Sequence, residues 1–296
     1  MPIGSFLGLI ALLSSGDAAP PDAAYRVEIE TWRAKRIESL RRPDGWLTLA
    51  GLFWLEEGEN QFGSDPSNRI VLPAGAAPAC LGVLLLSHGV VAVRVEPGAE
   101  VTQDGKRVAS VNLKTDAEGE PTVLKHGSIS FYVIQRGKRL GVRVKNSRSP
   151  SLAAFHGVEN FPIDRRWRLE ARFEPYDPPK PIPIPNILGT VETEKSPGAV
   201  VFDFEGRSHR LDAVTESGTD ELFLIFGDQT NGTETYGAGR FLYAAAPAGG
   251  KTVVDFNKAY NPPCVFTPYA TCPLPPPQNR LQVRIEAGEK KYGEHH

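Results

Sequence analysis

The stretch "WRLEARF", Trp167–Phe173, alternates apolar and polar residues one by one. Because successive side chains of a β-strand point to opposite faces of the sheet, this pattern predicts a strand with one buried and one solvated face. "VAVRV", Val91–Val95, alternates in the same way, and similar short runs recur between Gly, Pro and Asp residues along most of the chain. The sequence therefore predicts an all-β fold, mainly of antiparallel sandwich or barrel modules.

One segment, residues 22–42, predicts the single long helix, at the N-terminal end. Apolar residues recur there at steps of three to five positions: Tyr25, Ile29, Trp32, Ile37 and Leu40. Arg41 and Arg42 suit the negative end of the helix, and Pro43 ends it.

Composition excludes several classes of protein. The 296 residues, 41% of them hydrophobic, suffice for a core without metals or disulfide staples. A net charge of −2, with acids and bases interspersed, predicts no nucleic-acid partner. None of the three cysteines forms a CxxC pair, and no zinc or cofactor motif is present. The sequence predicts no metal and no cofactor, and it leaves the oligomeric state open.

Residues 1–19 have the layout of a short secretory signal, with an apolar run from Phe6 to Leu13 and small residues at Ala18 and Ala19. We therefore expect a secreted or periplasmic protein. The alternative is an apolar leader on a cytoplasmic protein, because no Lys or Arg precedes Arg26. The run is too short to cross a bilayer, so no transmembrane segment is predicted.

A proline-rich stretch, residues 172–189, divides the remaining chain near Tyr176. The predicted modules are residues 43–175 and residues 176–296. Because proline lacks a backbone donor and disfavours helix before it, the stretch is either an extended strap between modules or a packed edge segment.

Residues 47–108 of the first module resemble a forkhead-associated (FHA) β-sandwich in their pattern of turns and hairpins. Phosphothreonine readers of that family carry an arginine after the turn glycine, whereas Ser64 follows Gly63 here. A serine cannot supply the guanidinium fork that grips a phosphate. The resemblance therefore implies a degenerate scaffold that does not bind phosphothreonine.

Two polar segments of the second module carry the candidate functional residues: "FGDQTNGTETYGAGRFLYA", residues 226–244, and "VVDFNKAYNPPCVFTPYATCPLPPPQNRL", residues 253–281. The prolines hold an irregular loop rigid at little entropic cost, so that polar side chains can be fixed without a helix. We expect a pocket for a small polar molecule, lined by Asp228, Glu234, Tyr236, Arg240, Asp255, Asn257 and Asn261. The alternative is a structural network in which the asparagines satisfy the loop backbone.

The two polar segments resemble the microbial family named domain of unknown function 1684 (DUF1684). Two further stretches share this resemblance: "FHGVENFPIDRRWRLEARFEPYDPP", residues 155–179, and "RIEAGEK", residues 284–290. The resemblance runs from about Trp46 to Lys290. It implies a shared β-rich fold and a shared polar site, without an established activity. The ligand-binding candidates are Thr230, Tyr236, Arg240, Asn257, Tyr260, Asn261, Asn279 and Arg280.

Two classes of function stay open at this point. No GxSxG, HExxH, GxxxxGK[ST] or GxGxxG motif is present. The first class is a small-ligand site, which a carboxylate-based hydrolase would use with Asp228, Glu234 or Asp255 as acid or base. The second is a non-catalytic β-module that binds a protein or an envelope component.

Cys264 and Cys272 are separated by "VFTPYAT", and two extended arms folding back around Pro268 would bring them together. In an oxidising compartment the pair would form a disulfide. The alternative is two buried thiols that behave as small hydrophobic groups.

Overall fold

The computed structural model describes residues 21–216 and 218–293 of the chain. The predicted secretory signal lies outside these residues. Within them, seventeen strands form three sheets, and every strand pair is antiparallel except that of the second and third strands. The long helix α1 spans Pro21–Leu40, close to the predicted 22–42. The structure thus confirms an all-β fold with one long N-terminal helix.

The first module consists of two sheets packed face to face. The six-stranded sheet has the order β1-β11-β10-β9-β6-β7, and the five-stranded sheet has the order β3-β2-β4-β5-β8. Phe62 and Phe131 join the two sheets through the shared core, with ring centroids 5.3 Å apart. The strands are β1 (Leu49–Trp54), β2 (Gly58–Gly63), β3 (Ile70–Val71), β4 (Gly82–Ser87), β5 (Val90–Val95), β6 (Thr102–Gln103), β7 (Lys106–Arg107), β8 (Ser110–Leu113), β9 (Leu124–His126), β10 (Ile129–Arg136) and β11 (Arg139–Asn146).

The part of the chain from residue 150 onward, called the second module below, contains a six-stranded sheet of order β16-β15-β14-β13-β12-β17, which the short helix α2 (Pro150–Ala153) precedes. Its strands are β12 (Arg168–Pro185), β13 (Val191–Phe204), β14 (Arg207–Thr215), β15 (Leu222–Phe226), β16 (Arg240–Ala244) and β17 (Lys251–Asp255). Strand β12 runs through the proline-rich stretch and pairs with β13, with a register shift between Pro175 and Lys180. Of the two alternatives, the stretch is therefore the packed one, and the predicted division at Tyr176 falls within a strand.

Both faces of the second sheet are covered, and this decides where a ligand site can lie. All five residues of β15, "LFLIF", are buried, because alternate side chains enter two different cores. One face packs against the C-terminal segment 281–287. The other packs against the proline-rich loop, residues 261–277, and part of it is open to solvent where α1 and the first module approach it.

Helix α1 lies against the second module through Tyr25 and Arg36, whose side chains bond to Asp255 and Glu289. Among the described residues, no helix is long and apolar enough to cross a membrane.

Candidate functional site

An aromatic cleft of about 500 Å³ lies between α1, the exposed part of the second sheet and the start of the first module. Helix α1 contributes the charged side chains of Lys35 and Arg36 to one wall, and Glu216 lies after the end of β14. The cleft takes its aromatic lining from five parts of the chain: Trp32, Trp46, Phe223, Phe241, Tyr243 and Tyr260. Ligand sites are commonly concave and aromatic with a few polar groups, and this cleft has that composition.

The floor of the cleft follows from strand geometry. Phe241 and Tyr243 are two residues apart on β16 and therefore share a face, and Phe223 of β15 lies opposite Tyr243 in the strand register. The Phe223 and Tyr243 rings stack at 5.0 Å with an interplanar angle of 29°. Tyr260 continues the aromatic surface, with its ring 6.2 Å from Tyr243 and an interplanar angle of 13°. Trp32 closes the edge at 6.4 Å from Tyr260.

Some polar groups of the cleft already form hydrogen bonds or ion pairs within the protein, and others do not. The Tyr243 hydroxyl donates to the Glu216 carboxylate, and burial together with this bond raises the pKa of Tyr243. The Arg36 guanidinium lies 4.7 Å from the Tyr260 ring centroid and donates to Glu289. The Lys35 ammonium has no hydrogen bond or ion pair with another described residue. Lys35 therefore offers an uncommitted positive charge at the rim.

Two smaller cavities adjoin the cleft. One, of about 260 Å³, shares Phe223 and Glu216 with it and is also lined by Glu192 and Glu194. We name it the glutamate cavity. The other, of about 230 Å³, shares Trp32, Tyr243 and Tyr260 with the cleft.

Four of the charged groups that line this second, smaller cavity form two ion pairs. Lys258 donates to Glu28 at 2.6 Å, and Arg168 donates to Asp255 at 3.0 Å. These two ion pairs leave Glu221 as the unpaired charge on the wall of the second cavity, whereas the glutamate cavity has two such glutamates among the described residues, Glu192 and Glu194.

Arg240, a predicted ligand-binding residue, is fully buried. Its guanidinium donates to Asp228 Oδ2 at 2.8 Å and to the carbonyl oxygen of Ile285 at 2.8 Å, and it also donates to the carbonyl of Ala287. The Thr230 hydroxyl donates to the other Asp228 oxygen at 2.6 Å. Burial lowers the pKa of Arg240, and the Asp228 charge opposes that shift. Asp228, Thr230 and Arg240 thus fix the C-terminal segment and are closed to a ligand.

Asn257 and Asp255 form a separate buried network beneath helix α1. The Asn257 amide donates to the Tyr25 hydroxyl at 2.9 Å and to the Asp164 carbonyl at 2.8 Å. The Tyr25 hydroxyl donates to Asp255 at 2.8 Å, and burial, followed by this bond, raises the pKa of Tyr25. Asp255 also borders the second smaller cavity, where its charge is paired with Arg168.

The remaining asparagines satisfy backbone groups. Asn261 donates its backbone N–H to Glu289 at 2.7 Å and its side-chain amide to the Lys290 carbonyl at 2.7 Å. Asn279 donates to the carbonyls of Asp212 and Ile225, each at 2.9 Å. Both asparagines are buried, so they hold the proline-rich loop and the chain after it.

Three predicted residues lie apart from these networks. Glu234 pairs with Arg284 at the surface, and Arg280 is exposed beside Gly227. Tyr236 is half-buried and packs against the cluster that contains Phe155 and Phe266.

The predicted residues therefore do not surround one cavity. Of the ligand-binding candidates, Tyr260 lines the aromatic cleft, while Arg240 and Asn257 are completely covered. The physical reason is that irregular loops leave backbone donors and acceptors that buried polar side chains must satisfy. In the part of the chain that the structure describes, no group of three or more His, Cys, Asp or Glu residues is arranged to hold a metal ion.

Most of the cleft residues were missing from the sequence-based site. The sequence offered one usable signal: the alternation in "GRFLYA" places Phe241 and Tyr243 on one face of a strand. It offered none for Trp46 or Glu216, which reach the cleft only through the packing of distant elements.

Cys264 and Cys272 are both free thiols in the structure, so the predicted disulfide is not formed there. The two residues are nevertheless neighbours, because the Cys264 N–H donates to the Cys272 sulfur at 3.1 Å. A hydrogen bond with Cys272, and a second with Tyr236, lower the pKa of the Cys264 thiol against the effect of burial.

Comparison with known proteins gives a family for the second half of the chain. The sequence model described as "Protein of unknown function (DUF1684)" matches residues 153–290. No curated protein sequence matches the chain. A solution NMR structure of an uncharacterised protein from Haloarcula marismortui is similar, at 29% identity over 48% of this chain and 80% of that one. Its TM-score of 0.41 is too low for an argument about fold. Residues 153–290 of the chain belong to the DUF1684 family.

Proposed function

We propose that the protein binds a small organic molecule with a flat apolar face in the aromatic cleft. The observation that carries this proposal is the set of six aromatic side chains around an open volume of about 500 Å³. Much of the same sheet face is covered by the proline-rich loop, whose Ala270 and Cys272 are buried against it. An uncovered aromatic surface with charged groups at its rim is typical of ligand recognition.

Stacking and area burial supply the expected affinity. Covering about 100 Å² of apolar surface stabilises a complex by about 2.5 kcal/mol. Each well-placed aromatic pair adds about 0.5–1.5 kcal/mol. After the loss of translational freedom, a ligand of about ten non-hydrogen atoms is expected to bind with a Kd of roughly 10 µM to 1 mM.

Binding is better supported than carboxylate-based hydrolysis. A general acid or base must reach the substrate, either directly or through one water molecule. Asp228 is closed off by Arg240, and Asp255 is paired with Arg168 and Tyr25. Glu234 borders none of the three adjoining cavities.

A thermal-shift screen tests the proposal, because a ligand that binds only the folded state raises the Tm. The panel contains aromatic amines, aromatic acids, nucleosides and monosaccharides. Each compound that raises the Tm is repeated on Trp32→Ala/Tyr243→Ala, which removes one aromatic side chain from the edge of the cleft and one from its floor. The control is Trp54→Ala, because Trp54 is half-buried like Trp32 but lies in the first module, where Arg139 covers its ring.

The expected result is a Tm increase that persists in the control and disappears in the double variant. Shifts of equal size in all three proteins would place binding elsewhere and refute the proposal. A panel without any Tm increase would refute it for these ligand classes.

A further inference from the structure

We infer that the ligand of the aromatic cleft carries an organic cation, a primary ammonium or guanidinium group, which enters the glutamate cavity. This inference rests on the proposed function and adds the charge and the orientation of the ligand. Three observations carry it: carboxylates without counter-ions, an apolar floor beneath them, and continuity with the aromatic cleft.

Glu192 and Glu194 lie two residues apart on β13 and therefore point to the same side of the sheet. Their partners in the register are Ile184 and Ile182, which are buried in the core beneath the cavity. Neither carboxylate forms a hydrogen bond or an ion pair with a described residue, and Glu192 Oε1 is shielded from solvent without any partner. Burial and the Glu192 charge raise the pKa of Glu194. A shielded carboxylate oxygen without a donor is costly, and a ligand cation would supply the donor.

Arg136 is the cation of the protein that borders this cavity, and its Nε and Nη1 groups donate to partners other than the glutamates. Its guanidinium bonds to Asp116 at 2.8 Å and to the Thr271 hydroxyl at 3.1 Å, as well as to the Gln135 carbonyl at 2.6 Å. The glutamates are thus left with a net negative charge that Arg136 does not neutralise by direct contact.

The size and lining of the glutamate cavity favour an organic cation over a bare ion. Its volume of about 260 Å³ is several times the share of one water molecule, about 30 Å³. Apolar side chains line it beneath the carboxylates, namely Ile184, Val214, Phe223 and Ile225. A charged head on a short methylene chain matches this combination, because the chain contacts the apolar floor while the head meets the carboxylates.

Continuity with the cleft fixes the orientation of the ligand. Phe223 and Glu216 line both spaces. A ligand whose aromatic ring lies in the cleft can therefore extend a side chain into the glutamate cavity along the protein surface. The ring would lie against Tyr243 and Tyr260, and the cation would lie near Glu216, Glu192 and Glu194.

Three probes of similar shape and different charge test the inference: 2-phenylethylamine, 2-phenylethanol and 3-phenylpropanoate. Binding is followed by tryptophan fluorescence, because Trp32 and Trp46 line the cleft. The amine is expected to bind at least about tenfold more tightly than the alcohol, equivalent to about 1.4 kcal/mol, and the acid more weakly than either. In Glu192→Gln/Glu194→Gln the affinity for the amine should fall to that for the alcohol, and the affinity for the alcohol should stay unchanged.

The matched control is Glu96→Gln/Glu120→Gln, which removes the same charge from two exposed positions of the first module. This variant should bind all three probes as the unmodified protein does. If alcohol and amine bind equally, the cation inference is wrong while the cleft remains a ligand site. If the control loses amine affinity as fully as the cavity variant, long-range charge explains the preference and the inference also fails. If no probe changes the fluorescence, the proposed function fails for aromatic ligands and the inference falls with it.

Discussion

Replacing Arg240 by methionine should destabilise the fold strongly, because the substitution removes the centre of a buried network. Arg240 and the Asp228 side chain are both fully inaccessible to solvent. The guanidinium is also the donor to the carbonyls of Ile285 and Ala287, which lie on the segment covering one face of the second sheet. Methionine fills much of the volume and leaves these acceptors, together with the Asp228 charge, without that donor.

The magnitude follows from the unpaired charge. Removing one partner of a buried ion pair costs about 3–5 kcal/mol, because the other charge stays buried and uncompensated. Domain stabilities are about 5–15 kcal/mol, so Arg240→Met should remove a large part of the total. Asp228→Asn added to Arg240→Met eliminates the stranded charge. The double variant should therefore be more stable than the sum of the two single losses predicts, by about 1–2 kcal/mol or more.

Urea unfolding followed by far-ultraviolet circular dichroism measures these differences as free energies of unfolding. The m-value of each variant shows whether unfolding remains comparable to that of the unmodified protein. A loss below about 1 kcal/mol for Arg240→Met, or strictly additive losses in the double variant, would refute the structural role of the pair. Full loss of amine binding by folded Arg240→Met at low urea would instead place Arg240 in the ligand site.

Two further predictions concern titratable groups near the cleft and the loop. Because burial and the Glu192 charge raise the folded-state pKa of Glu194 above its ordinary value of 4.5, ionising Glu194 destabilises the fold. Glu194→Gln should therefore match the unmodified protein below pH 4.5 and become the more stable of the two as the pH rises through the folded-state pKa; a gain confined to acidic pH would contradict this. Because hydrogen bonds with Cys272 and Tyr236 lower the pKa of Cys264, Tyr236→Phe should reduce the thiolate fraction and slow alkylation of Cys264 by iodoacetamide, as read by intact mass. An unchanged or faster rate would exclude the tyrosine bond.

The secondary structure could be predicted because its cause is local. The alternation of apolar and polar residues in "WRLEARF" fits a strand with one covered face. Trp167 and Ala171 are buried in the core of the second module's sheet, as this pattern predicts. The helix that begins at Pro21 follows from apolar residues spaced by about one turn, three of which, Tyr25, Ile29 and Leu40, are buried.

The direction of polar side chains could not be predicted in the same way. In the sequence, Asp228, Arg240 and Asn257 are equally suited to bind a ligand and to satisfy unpaired backbone groups. Both roles need the same hydrogen-bond donors and acceptors. Only the folded chain shows that Arg240 meets carbonyls 45 and 47 positions further along. The aromatic cleft was hidden for a related reason, since Trp32 and Tyr243 come together from distant elements.

Fluorine NMR of protein labelled with 5-fluorotryptophan tests most directly whether the aromatic cleft is the ligand site. The chain contains four tryptophans, and Trp32 and Trp46 line the cleft whereas Trp54 and Trp167 do not. Single Trp→Phe variants assign the four signals, and 2-phenylethanol and 2-phenylethylamine are then titrated separately. If the cleft is the ligand site, the Trp32 and Trp46 signals shift saturably, whereas the Trp54 and Trp167 signals stay unmoved. Shifts confined to Trp54 or Trp167, or no saturable shift with either compound, would contradict it.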